Sequence, residues 1–130
     1  MRGQVSIEFL TIMILAVVFL VSMLAIGAMK ITEAADEARK VTVENIAYSI
    51  QQELLTANTV HDGYTRNFFL PVDVQKRTYV ISMRNATNAS VVTISSRNVV
   101  YTVGGPLCTG FLQPGTNRIQ KINETIYCNP

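Results

Sequence analysis

The stretch MRGQVSIEFLTIMILAVVFLVSMLAIGAMK, residues 1–30, opens on an Arg-Gly step, carries one acid at Glu8, and then runs uncharged from 9 to 29. As an α-helix rising ~1.5 Å per residue, those 21 residues reach roughly 32 Å, about one hydrocarbon core. A secretory leader has an apolar run of only about 7–15 residues, followed by a small-residue cleavage site that is missing here. The candidate processing point instead precedes the run, at Arg2-Gly3-Gln4. Glu8 is the informative charge. A carboxylate on a helix entering hydrocarbon costs at least ~2.5 kcal/mol, so such acids usually have a partner or a task.

Working outward, the helix is expected to continue past Lys30. No proline occurs before Pro71, and Gly27 is the only glycine between Gln4 and Asp62. The segment KITEAADEARKVTVENIAYSIQQELLTAN is rich in Ala, Glu, Lys and Gln, which all favour helix. Ile31, Ala35, Ala38, Thr42, Ile46, Ile50 and Leu54 recur at three- and four-residue spacing, predicting one apolar stripe. A stop is expected at Asn58, followed by turn chemistry at His61-Asp62-Gly63. A helix over 4–58 would be ~80 Å long, more than a small domain can bury, so it requires partners.

Beyond Gly63 the pattern turns to strands. Residues 77–83, 89–95 and 99–103 are β-branched or aromatic and are separated by short turns, with Gly104-Gly105-Pro106 read as the end of the third. A short strand is expected at 67–70, stopping at Pro71. The stretch 118–128 alternates at Ile122, Glu124, Ile126 and Cys128 and reads as a single strand. The fold class is therefore α+β: a long N-terminal helix, apolar in its first half, followed by a small, mainly antiparallel sheet of four or five strands. One face of that sheet is expected to pack on Ile46, Ile50 and Leu54. The organisation is a leader at 1–3, an apolar helix at 4–29, an amphipathic extension at 30–58 and a C-terminal β domain at 59–130.

The chain has 130 residues and a net charge of +2, with no Lys/Arg run longer than two, so it carries no electrostatic footprint for nucleic acid. No catalytic motif, paired-His or CxxC pattern occurs, and an enzyme is not expected. His61 is the only histidine, and Asp62 and Asp73 lack the ligand count of a calcium site, so no metal or cofactor is expected. Three sequons, at Asn85, Asn88 and Asn123, lie in the last 46 residues and fit a domain that meets a glycosylation machinery. Asn85 and Asn123, with threonine at the third position, rank above Asn88. With a membrane-directed N-terminus, the same context predicts a Cys108–Cys128 disulfide. The charges Lys30, Arg39 and Lys40 after the apolar run would alone hold the C-terminal part inside. The sequons and cysteines outweigh that count, because the tail before the run is very short.

The sequence Gly3-Gln4-Val5-Ser6-Ile7-Glu8-Phe9-Leu10, preceded by Arg2 and followed by the apolar helix, resembles the archaeal type IV pilin-like proteins with a class III signal peptide. The likeness is dense over about twelve residues and architectural over the helix, and no motif beyond the helix takes part in it. It implies cleavage between Gly3 and Gln4 by a membrane prepilin peptidase, and residence of the helix in the cytoplasmic membrane. It further implies extraction by a pilus assembly machinery into a homo-oligomeric, adhesive helical filament at the cell surface. Helices would form the filament core, the β domains its outside, and Glu8 would set the register of one subunit on the next. The alternatives are a single-pass membrane-anchored extracellular binding domain, or a pseudopilin-like minor component that forms no long filaments.

Overall fold

The computed structural model describes residues 2–130, with side chains described from Ser6 onward. One helix, α1 (Arg2–Thr59), is followed by seven strands: β1 (Thr65–Leu70), β2 (Val80–Asn85), β3 (Ala89–Ser96), β4 (Val99–Pro106), β5 (Cys108–Gly110), β6 (Gly115–Ile122) and β7 (Thr125–Cys128). The layout is the α+β arrangement of a long N-terminal helix and a small, mostly antiparallel β domain. The chain forms two compact units, Met1–Glu37 and Ala38–Pro130, with the boundary inside α1.

Within the second unit the helix buries Val43, Ile46, Ala47, Ile50, Leu54 and Ala57. Steps of three and four keep these residues on one face. Ile46, Ile50 and Leu54 are the expected contact residues. Val43, Ala47 and Ala57 complete the face in place of Ile31, Ala35 and Ala38, which are exposed, and Thr42, which is half-buried. The remaining core comes from Val92, Ile94 and Val103 of one sheet and Leu70, Ile119 and Ile126 of the other, with Val74, Tyr79 and Leu112 from connecting segments.

The strands form two sheets, where a single sheet of four or five strands was expected: β1-β6-β7-β5 and β2-β3-β4. Three differences in local structure accompany this. First, 118–128 is a hairpin and not one strand. Asn123 and Glu124 take positive φ of 48° and 61°, forming a two-residue turn that pairs Ile122 with Thr125. Such primed turns match the twist of paired strands, and Asn tolerates the left-handed region. Second, Gly104-Gly105-Pro106 continues β4 and does not end it, pairing with Val91, Ser90 and Ala89. A Cβ on Gly105 would lie 3.2 Å from Leu54 Cδ1, so the glycine serves close approach of strand to helix. Third, β5 pairs parallel with β7, from Cys108↔Ile126 to Gly110↔Cys128. At Gly110 (φ +127°) an added Cβ would fall 2.0 Å from the Cys128 carbonyl oxygen, which admits no side chain.

The helix C-terminus is tied to the β6–β7 hairpin. Lys121 Nζ donates to the carbonyls of Asn58 and Val60, each at 2.8 Å, supplying both a donor and a positive charge to the end of the helix. Gly63 N donates to Lys121 O and Lys121 N to Tyr64 O, both at 2.9 Å. Arg66 on β1 pairs with Glu53 on α1 at 3.1 Å. The chain thus turns from helix to sheet through hydrogen bonds to β6 and an ion pair to β1.

Candidate functional site

The first unit is a helix without an internal core. Seventeen large apolar side chains between Ile7 and Ile31 are each more than half exposed, from 51% at Met13 to 73% at Ile31. None of this apolar stretch is buried, and it is long and apolar enough to cross a membrane. Its polar side chains are largely satisfied locally. Thr11 Oγ1 donates to Ile7 O at 2.9 Å, and Ser22 Oγ to Val18 O at 2.8 Å. Such back-bonding to the preceding turn leaves these hydroxyls little to lose in a dry environment. The Lys30–Glu33 pair, 2.8 Å apart and solvent-exposed, marks where charged residues resume.

Glu8 is the only ionisable side chain from Ser6 to Met29. It is exposed, and no hydrogen bond or ion pair joins it to another described residue. Gly3 and Gln4, the expected processing pair, lie outside the residues whose side chains are described. From Ser6 to Met29 the helix therefore offers one chemistry, an apolar cylinder with a single carboxylate near one end.

The second unit holds the disulfide and the three sequons. Cys108 and Cys128 are disulfide-bonded, with Cα atoms 6.0 Å apart, and both are fully buried. The bond links the start of β5 to the end of β7. Asn85 ends β2, Asn88 lies in the β2–β3 turn, and Asn123 forms the tip of the β6–β7 turn; all three residues are exposed. Their amides differ in what they touch. Asn85 Nδ2 donates to Cys108 O at 3.0 Å, and Asn85 Oδ1 accepts from Ser90 Oγ at 2.8 Å. Cys108 N in turn donates to Ser90 Oγ at 2.8 Å, closing a ring of three hydrogen bonds around the first half-cystine. Ser90 is fully buried.

Two further polar networks escape sequence reasoning. Asn117, 1% exposed, accepts from Gln113 N and donates to the carbonyls of Gln113 and Gly115. Asn129 joins it: Nδ2 donates to Asn117 Oδ1 at 2.9 Å and Oδ1 accepts from Arg118 N at 2.7 Å. On the other side, Tyr101 donates to Glu44 Oε1 at 3.2 Å and lies 3.1 Å from the Tyr48 hydroxyl, joining β4 to the helix. The Tyr48 hydrogen bond first, then burial and the Glu44 carboxylate, push the Tyr101 phenol up to about 12. Burial pushes Tyr79 up to about 12 as well, and its hydroxyl donates to Pro71 O. The alternation of 89–96 could have revealed Ser90, because it falls on the same strand face as Val92, Ile94 and Ser96.

Asp62 has a structural task, accepting from Glu124 N at 2.9 Å. His61 and Asp73 are exposed surface residues. No family model, no curated protein and no solved structure matches the chain.

Proposed function

We propose that the chain is a structural subunit of an archaeal type IV pilus-like surface filament, with adhesion to surfaces as its role. The observation that carries this reading is the unbroken exposure of the apolar side chains between Ile7 and Ile31. Each buried side chain of this kind is worth ~1.5–3 kcal/mol, so leaving the segment in water would cost on the order of tens of kcal/mol. A bilayer satisfies it first. Copies of the same helix satisfy it afterwards, through close packing that lipid contact does not oppose strongly. The transfer from lipid to filament gains little hydrophobic energy and is driven by an assembly machinery.

Cleavage after Gly3 by a prepilin peptidase exposes the amine of Gln4, four residues before Glu8. In a dry helical core, a carboxylate is tolerated only when paired, and the cationic amine of a neighbouring subunit is the partner available there. The pair adds little net stability and fixes one subunit's axial position on the next. The disulfide supports an extracytoplasmic β domain, since such bonds persist in oxidising compartments.

The test is the mass and N-terminal sequence of the mature chain, together with Glu8→Ala. The proposal expects a mature chain beginning at Gln4, and filament assembly impaired by E8A with membrane insertion intact. An uncleaved chain, or full assembly by E8A, contradicts it. Cleavage with no assembled material at all would instead favour a membrane-anchored binding domain.

A further inference from the structure

The three sequons are not equivalent in the folded domain, and the difference lies in their hydrogen bonds. An N-x-S/T acceptor has to present two groups together, the asparagine amide and the hydroxyl two residues on. In the first sequon, Asn85-Ala86-Thr87, both ends of the amide are engaged: Nδ2 with Cys108 O and Oδ1 with Ser90 Oγ. In the second, Asn88-Ala89-Ser90, the hydroxyl is that same Ser90 Oγ, fully buried and also accepting from Cys108 N. The acceptor amide of one sequon is thus bonded to the hydroxyl of the other, and the pair jointly holds the Cys108 peptide. Withdrawing either group would leave buried polar atoms unpaired, at ~1–3 kcal/mol for each.

The third sequon has neither obstruction. Asn123 sits at the tip of a two-residue turn with φ 48°, exposed, and its side-chain amide makes no hydrogen bond among the described residues. Thr125 is half-buried, and its hydroxyl makes only a long 3.4 Å contact with the Asn123 carbonyl. We infer that Asn123 is the N-glycan acceptor of the folded domain, whereas Asn85 and Ser90 form a structural clasp on the first half-cystine. This separates Asn123 from Asn85, which the sequence alone ranks together above Asn88. It rests on the proposed extracytoplasmic placement of the domain.

The transfer is a simple substitution. Asn123 Nδ2 bonds to the anomeric carbon of a glycan carried on a polyisoprenoid phosphate, supplied to a separate membrane transferase. The bond from that carbon to the phosphate oxygen breaks, the lipid phosphate leaves, and Nδ2 gives up one proton.

The test is intact mass and glycopeptide mapping of the full chain purified from cells that make it, as wild type and as N123Q, T125A, T87A and N88Q. Thr87→Ala and Asn88→Gln each remove one sequon without touching the clasp. The expected result is excess mass confined to the peptide containing Asn123, lost in N123Q and T125A, and unchanged in T87A and N88Q. Sugar on Asn85 or Asn88, or an increment that survives N123Q, overturns the inference. A wild-type chain at bare polypeptide mass also overturns it, and a thiol count on the same sample separates the causes. Two free thiols would bring down the extracytoplasmic reading with it; none would bring down the glycan assignment alone.

Discussion

Lys121 on β6 and Asn58 at the end of α1, 63 positions apart in sequence, meet through a 2.8 Å hydrogen bond from ammonium to carbonyl. The same ammonium reaches Val60 O just past the helix, so one side chain satisfies a terminal helix carbonyl and the first carbonyl beyond it. Lys121→Met keeps much of the aliphatic stem and removes the donor. It is expected to destabilise the β domain by ~1–2 kcal/mol, from the lost charged hydrogen bonds and the lost interaction with the helix dipole. Urea denaturation of the full-length protein in detergent checks this. A change below a few tenths of a kcal/mol would show that the contact is ornamental.

Gly110 and Gly105 make a matched pair of substitutions. Gly110→Ala places a methyl group 2.0 Å from the Cys128 backbone oxygen at a φ of +127°, so strand pairing between β5 and β7 has to open. The expected cost is ~3 kcal/mol or more. Gly105→Ala meets Leu54 alone, its rotatable Cδ1 at 3.2 Å and its Cβ at an ordinary 3.7 Å, and is expected to cost under ~1 kcal/mol. Thermal melts of the two variants beside wild type give the ordering. Equal effects would contradict the packing described for β5.

The disulfide closes a loop over a sequence separation of 20. In the chain-entropy account, a loop of this size stabilises by ~3 kcal/mol. Reduction under native conditions, or the double variant C108S/C128S, is expected to lower the denaturation midpoint by a corresponding amount. The clasp predicts a further effect: Ser90→Ala should make the bond reducible at lower thiol concentration, since Cys108 N then loses its acceptor.

Alkaline pH should unfold the domain through its tyrosines. Tyr79 and Tyr101 are held at about 12, against about 10 in an unfolded chain. Between those values the unfolded state has already lost these protons while the folded state retains them, so stability falls as pH rises. It is fully present below about pH 10. With five tyrosines and no tryptophan, tyrosinate absorbance reports the titration cleanly. Y79F and Y101F should each shift the alkaline transition upward in pH, relative to their own stability at neutral pH.

Much of this was legible in the residues. The helix followed from the absence of proline before Pro71, and the hairpins from β-branched runs separated by short polar turns. Ile46, Ile50 and Leu54 were legible as contacts because helical spacing alone placed them on one face. Two features were not legible. The division into two sheets depends on β1 pairing with β6 instead of with its neighbour in sequence, β2, a non-local choice that no periodicity in 65–70 announces. The hairpin at 123–124 was hidden by an accident of alternation: Ile122, Glu124, Ile126 and Cys128 share a parity, but the turn places Glu124 at its tip and leaves Ile122 43% exposed. For the functional residues, the sequons were readable as strings, whereas the ring joining Asn85, Ser90 and Cys108 required the fold. Glu8 was legible as an anomaly in an apolar run.

The central claim is that the segment between Ile7 and Ile31 has copies of itself as its lasting partner. Electron cryomicroscopy of material sheared from cells that produce the chain tests it most directly. The account predicts helical filaments with α1 packed at the axis, β domains outside, and Glu8 opposite the N-terminus of a neighbouring subunit. A shear fraction empty of the chain, with all of it retained as monomers in the membrane, would contradict the account.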